Sequence, residues 1–271
     1  MGVADGGRGL GSEEQTGSQT AGGVCDMLTV MRAQGGAVML NKSDVAVIRE
    51  LAGRVAGIAA LPVQEEKRAL WRRLNALEPV RPMVMVDQIA WNEIQCGELA
   101  LRCANPECRA YETMLRRTLY QWDRFRVDRV VEPFIRVPKA VENTGFGIVV
   151  HEDTVATDPA NDVVGHRYIN QFQTEDDLEK IRTPVIAHDA DETARRLDAA
   201  HALFDGLLEV RPWGVDPYLS YWDPISTWMG VENALFALVE RPDYMHRLVR
   251  RMMEGYLALL DQLEAQGLLC Q

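Results

Sequence analysis

The chain has 271 residues, 47% of them hydrophobic, and carries a net charge of −11 from 40 acidic and 29 basic side chains. That length suits one large α/β domain or two small ones. The acidic balance excludes phosphate-backbone recognition, which needs clustered Lys and Arg, and no apolar run approaches the ~18 residues of a membrane span.

Five cysteines (Cys25, Cys96, Cys103, Cys108 and Cys270), odd in number and with no signal peptide ahead of them, read as reduced thiols of a cytoplasmic protein. Residues 1–40 are rich in Gly, Ser, Thr and Gln and hold little to bury, so a disordered or irregular segment is expected. Residues 41–80 predict a helical pair. Ser43 is the expected N-cap of the first helix, with Val47, Leu51, Val55 and Ile58 at three- and four-residue spacing, and Pro62 opens the second.

"RPMVMVDQ" then gives a short β-like run over residues 83–86, ending at Asp87-Gln88. "NPECRAYETMLRRTLYQWDRF" is a long amphipathic helix with Tyr111, Leu115, Leu119, Trp122 and Phe125 on one face. It leads into a valine-rich strand over residues 127–131, closed by Glu132-Pro133, with Arg136 four residues beyond Glu132.

After Gly147, two β-prone runs around a turn at 157–162 predict a hairpin. Thr174 opens a short capped helix through Ile181, another helix runs from Asp191 to Phe204, and "GLLEV" at 206–210 is a strand candidate. Residues 214–230, rich in Trp and Pro, read as loop. Two helices follow, about 231–240 and 242–266, the second with Met245, Leu248, Met252, Tyr256, Leu259 and Leu263 as a core stripe. Strands alternating with helices predict a parallel sheet, and their order favours a barrel with its polar site residues at the carboxyl ends of strands.

No Walker loop, GxGxxG, GxSxG or HExxH occurs, which leaves nucleotide hydrolysis, Rossmann binding and serine hydrolysis without support. Cys96-x6-Cys103-x4-Cys108 lacks a CxxC pair and a nearby histidine, so structural thiols are expected rather than zinc ligands. His151, Glu152 and Asp153, with His166 across the hairpin, have donor types suited to a metal, but hairpin faces collect such residues routinely and a solvated face is the preferred reading. His166 and Tyr168 are candidate substrate contacts. Asp87, Gln88, Glu132 and Arg136 all follow short hydrophobic runs and are expected to project into one mouth; the alternative is that Glu132 and Arg136 pair or cap a helix. Trp213 and Trp222 are expected as walls for a flat ligand.

Taken in order, these segments resemble the uroporphyrinogen decarboxylase superfamily, which also contains the methylcobamide:coenzyme M methyltransferases. "RPMVMVDQ" is similar to the family's opening RPVWxMRQ. "NPECRAYETMLRRTLYQWDRFRVDRVVEPFIRVP" resembles its helix-then-strand block, and "TEDDLEKIRTPVI" and "WDPISTWMGVENALFALVERPDYMHRLVRRM" resemble later blocks, so the likeness spans about residues 81–267. It implies a partial TIM-type (β/α)8 barrel, truncated after roughly half the strands, behind an N-terminal helical extension. Asp87 stands where decarboxylases carry a carboxylate-binding arginine, and an acid there repels a polycarboxylate porphyrinogen. The methyltransferase-like branch is therefore the expected relation, with methyl transfer to a thiol or corrinoid.

In full-length relatives of that branch the resemblance implies zinc and a corrinoid protein partner; no metal ligand is carried over to this chain. A small-molecule substrate and self-association are also expected. Two alternatives stand beside methyl transfer: uroporphyrinogen decarboxylation, and an inactive fragment that acts only by association.

Overall fold

Helix α1 (Lys42–Ala59) begins where the side chain of Asn41 accepts the backbone N–H of Asp44. The expected cap, Ser43, instead donates its hydroxyl to Asn41 at 2.8 Å. This computed structural model describes residues 40–156 and 164–270. The expected irregular segment up to residue 39 and the hairpin turn at 157–162 lie outside the described residues.

Helix α1 buries Ile48, Leu51, Ala52 and Val55 against α3 (Pro106–Phe125), and Asp44 ties the two together. The Asp44 carboxylate is 2% exposed and accepts the backbone N–H groups of Ala104 and Asn105, at the entrance to α3. Asn105 then caps α3 by accepting from Glu107 and Cys108. Of the α3 face expected from its periodicity, Tyr111, Leu115 and Leu119 are buried, while Trp122 and Phe125 in the last turn are half-buried. Helix α2 (Pro62–Asn75) starts with Pro62 at its first turn, where the missing N–H costs no helical bond.

Two expected strands are not strands. Residues 83–86 form neither helix nor strand. They are pinned by Asp128, whose N–H donates to the Val84 carbonyl at 2.9 Å and whose carboxylate accepts the Val84 N–H at 2.8 Å and the Arg81 guanidinium. Residues 127–131 are likewise irregular, because their polar backbone groups are taken by α2 side chains rather than a neighbouring strand. Lys67 donates to the carbonyl of Val127 (2.8 Å), Trp71 to that of Asp128 (2.8 Å), and the buried Gln64 accepts the Val131 N–H (2.9 Å). The strand β1 (Phe134–Pro138) begins only after Glu132-Pro133.

After β1 come β2 (Ala140–Asn143), β3 (Glu152–Ala156), β4 (Val164–Tyr168), β5 (Ile186–Asp189), α4 (Ala190–Phe204) and β6 (Glu209–Trp213). The expected hairpin is present as antiparallel β3–β4, with β3 exposed along its whole length. Strand β2 pairs antiparallel with β5. A capping box at Thr174 and Asp177 opens the short 3₁₀ helix Glu175–Lys180, as its sequence predicts. Strand β6 starts three residues later than "GLLEV" suggests and pairs parallel with β1.

Helix α5 (Trp222–Met229) lies within the expected loop, burying Ile225, Trp228 and Met229. Helices α6 (Val231–Glu240) and α7 (Pro242–Ala265) follow, and all six residues of the expected α7 stripe are buried. The turn before β3 docks on α7 through Phe146, whose ring meets Trp228 and Tyr256 edge-on. Gly255 makes room for it: a Cβ there stands 2.6 Å from the Phe146 ring.

The described residues thus form a mixed α/β structure of seven α-helices and three two-stranded sheets, with no closed barrel among them. One core joins α1, α3, α4 and the inner face of β1; a second joins α5, α6 and α7 around Phe172. Helix α1 of the N-terminal pair contributes to the first core, while α2 reaches the rest of the chain through polar contacts of Gln64, Lys67 and Trp71. No described helix is long and apolar enough to cross a membrane.

Candidate functional site

The parallel pair has one buried and one open face. Its register sets Phe134 beside Glu209, Arg136 beside Arg211 and Pro138 beside Trp213. Because side chains alternate along a strand, Ile135 and Val137 enter the helical core, 4% and 1% exposed. Phe134, Arg136, Arg211 and Trp213 share the other face and stack on one another. The Arg136 guanidinium lies 4.1 Å from the Trp213 ring centroid and 5.6 Å from that of Phe134, and Arg211 lies 4.0 Å from Phe134.

The order is therefore ring, guanidinium, ring, guanidinium. Two like charges side by side on neighbouring strands repel, and the intervening Phe134 ring offsets this through its negative face. Glu209 bonds Arg211 at 2.6 Å and holds that guanidinium's pKa above its ordinary value. Among the described residues no carboxylate lies within ion-pair distance of Arg136. Stacking occupies the faces of its guanidinium and leaves the in-plane N–H donors for an oxyanion.

At the carboxyl end of the pair the chain stays parallel. Lys139 N–H donates to the Trp213 carbonyl (2.8 Å), and Val215 forms a parallel bridge with Leu269 after α7. The Lys139 ammonium reaches the carbonyl of Gly267 at 2.7 Å. No family model, curated protein or solved structure matches this chain.

Of the expected site residues, Arg136 and Trp213 are brought together as described. Glu132 is not with them. It precedes β1, at the amino end of the strand rather than the carboxyl end, and accepts Nε and Nη2 of Arg68 on α2 at 3.2 and 3.1 Å. Asp87 and Gln88 are exposed on the irregular segment after α2, with Arg129 as the cation that senses the Asp87 charge. Trp222 opens α5 and is half exposed.

His166 and Tyr168 form a separate cluster on β4. Their rings stack at 5.8 Å with 10° between planes, and His166 Nδ1 lies 2.9 Å from Glu152 across the hairpin. Desolvation, then the Glu152 charge, raises the Tyr168 phenol above its ordinary pKa. Phe134 and Arg211 were missed by sequence reasoning. The signal was the arginine at the third position of both "FIRVP" and "EVRPW".

Burial first, then Glu112, pushes the Cys103 thiol up to about 12, and burial pushes Cys108 up to about 11, so both thiols are protonated at neutral pH. Among the described residues no three His, Cys, Asp or Glu side chains converge.

Proposed function

We propose that this chain supplies β/α units of a uroporphyrinogen decarboxylase-like barrel, and that its open strand face orients an anionic small molecule for methyl transfer to a thiol or corrinoid. The observation that carries this reading is the Arg136–Trp213 contact on the face opposite the helical core. A (β/α) barrel turns that face inward and keeps its chemistry at the carboxyl ends of the strands, where Trp213 is the last residue of β6. Support for the barrel comes from β1, β6 and the return at Leu269 running parallel with helices between them.

Arg136 binds the substrate's oxyanion through two in-plane N–H groups, and Trp213 holds the guanidinium plane in place. Arg211 adds positive potential beside it. No step is assigned to zinc.

The test mixes the chain with methylcobalamin and a thiol and follows loss of the methylcobalt absorbance. Methyl transfer that falls tenfold or more in Arg136→Ala supports the reading; no transfer above the protein-free rate overturns it.

One observation favours the decarboxylase as a second reading: two adjacent guanidiniums suit a polycarboxylate. Coproporphyrinogen formed from uroporphyrinogen, with no methyl transfer, selects it. Asp87, which the resemblance sets where decarboxylases carry an arginine, favours the first.

A further inference from the structure

Helix α6 is inside out. Its two buried residues are the small ones, Ala234 and Ala237, while Val231, Leu235, Phe236, Leu238 and Val239 are 58%, 60%, 57%, 41% and 82% exposed. A helix on a free surface turns its polar side to water. This one sends its bulk outward, the mark of a surface that meets a partner.

We propose that the cover is a second copy of this chain, packed on α6 across a two-fold axis. Val231, Leu235 and Val239 recur every four residues and so form one stripe along the helix. The stripe reads the same in both directions. When two α6 helices run antiparallel about the axis, Leu235 meets Leu235 of the other copy and Val231 meets Val239. That self-match is what an isologous interface requires, since each surface is its own partner.

The apolar surface does not stop at the helix. Gly230, at φ 78°, sits against the end of β4, where a Cβ would lie 3.2 Å from the Tyr168 carbonyl. Ile169 (47% exposed) follows Tyr168, and Val149 (72% exposed) is tied to the same corner by the Gln171 side chain at 3.0 Å. Exposed apolar patches on lone soluble proteins reach roughly 300–600 Å². Five α6 side chains that are 41–82% exposed make a face of roughly that size, and Ile169 and Val149 extend it toward the ~800 Å² per partner of a stable dimer.

Light scattering on the full chain at tens of micromolar tests this. The expected mass is twice the 30.4 kDa of one chain. Leu235→Glu, and separately Val239→Lys at the most exposed position, shift it to one chain mass while far-UV circular dichroism is unchanged. Both variants are used so that a folding failure in one leaves the other to report. A monomeric wild type overturns the proposal, as does a dimer that survives both substitutions. A monomer in which Leu235→Glu lowers the melting temperature assigns the cover to the chain's own residues, and also overturns it.

Discussion

The Arg136 guanidinium stacks on the indole of Trp213 at 4.1 Å, from the neighbouring strand. Such a contact contributes about 0.5–1 kcal/mol at an exposed site, so it positions Arg136 more than it stabilises the fold. Trp213→Leu is expected to leave the urea midpoint almost unchanged and to weaken binding of a carboxylate ligand severalfold by calorimetry. Arg136→Lys is expected not to rescue binding, because an ammonium lacks the planar fork.

Glu112 is fully buried and accepts three groups: the backbone N–H of Arg102, the backbone N–H of Cys103 and Nε of Arg116. Glu112→Gln leaves Arg116, itself 7% exposed, without its counter-charge. Breaking one side of a buried pair costs about 3–5 kcal/mol, read as a lower denaturation midpoint. Replacing both partners by Leu and Met is expected not to restore stability, because the two backbone donors lose their acceptor as well.

Gly255→Ala sets two effects against each other. Removing glycine from a helix stabilises by about 0.5–1 kcal/mol. Here the new Cβ meets the Phe146 ring at 2.6 Å, and overpacking costs about 1–3 kcal/mol. Net destabilisation of about 1–2 kcal/mol is expected by thermal melting. Pairing it with Phe146→Leu is expected to recover part of the loss.

The Asp128 clamp is expected to contribute to acid unfolding. The Arg81 hydrogen bond, helped by the Val84 N–H against the opposing effect of burial, holds Asp128 down at about 2, below the ordinary 3.8. A depressed carboxylate contributes stability that is complete above its ordinary value and is lost as pH falls from about 4 toward 2. Glu112 acts in the same sense: burial raises its pKa, but the N–H groups of Cys103 and Arg102 and the Arg116 guanidinium outweigh that and lower it. Asp128→Asn is expected to flatten the stability–pH curve between pH 4 and 2; an unchanged curve assigns the acid response elsewhere.

The long helices were legible because their period is unbroken. Tyr111, Leu115 and Leu119 on α3 and the six-residue stripe of α7 are buried as their spacing says. The strands were read less well. The valines before Glu132 have β propensity, yet their backbone partners are Gln64, Lys67 and Trp71, 57–67 residues earlier, which no local pattern reveals. Placing β6 at 206–210 ended it one residue before Arg211, so half of the cationic face was lost. Trp and Pro hid α5, whose buried Ile225, Trp228 and Met229 mark the covered side of a helix.

The lysine and tryptophan of α2 that hold the carbonyls of Val127 and Asp128 make an early helix the brace of the irregular segment that leads into β1, some 60 residues downstream. Chain order and mechanical order therefore differ. A cut between Asn75 and Arg81 is expected to leave two pieces that stay clasped and copurify. A product that starts at Arg81 instead leaves the approach to β1 without these partners, and is expected to be the less stable of the two.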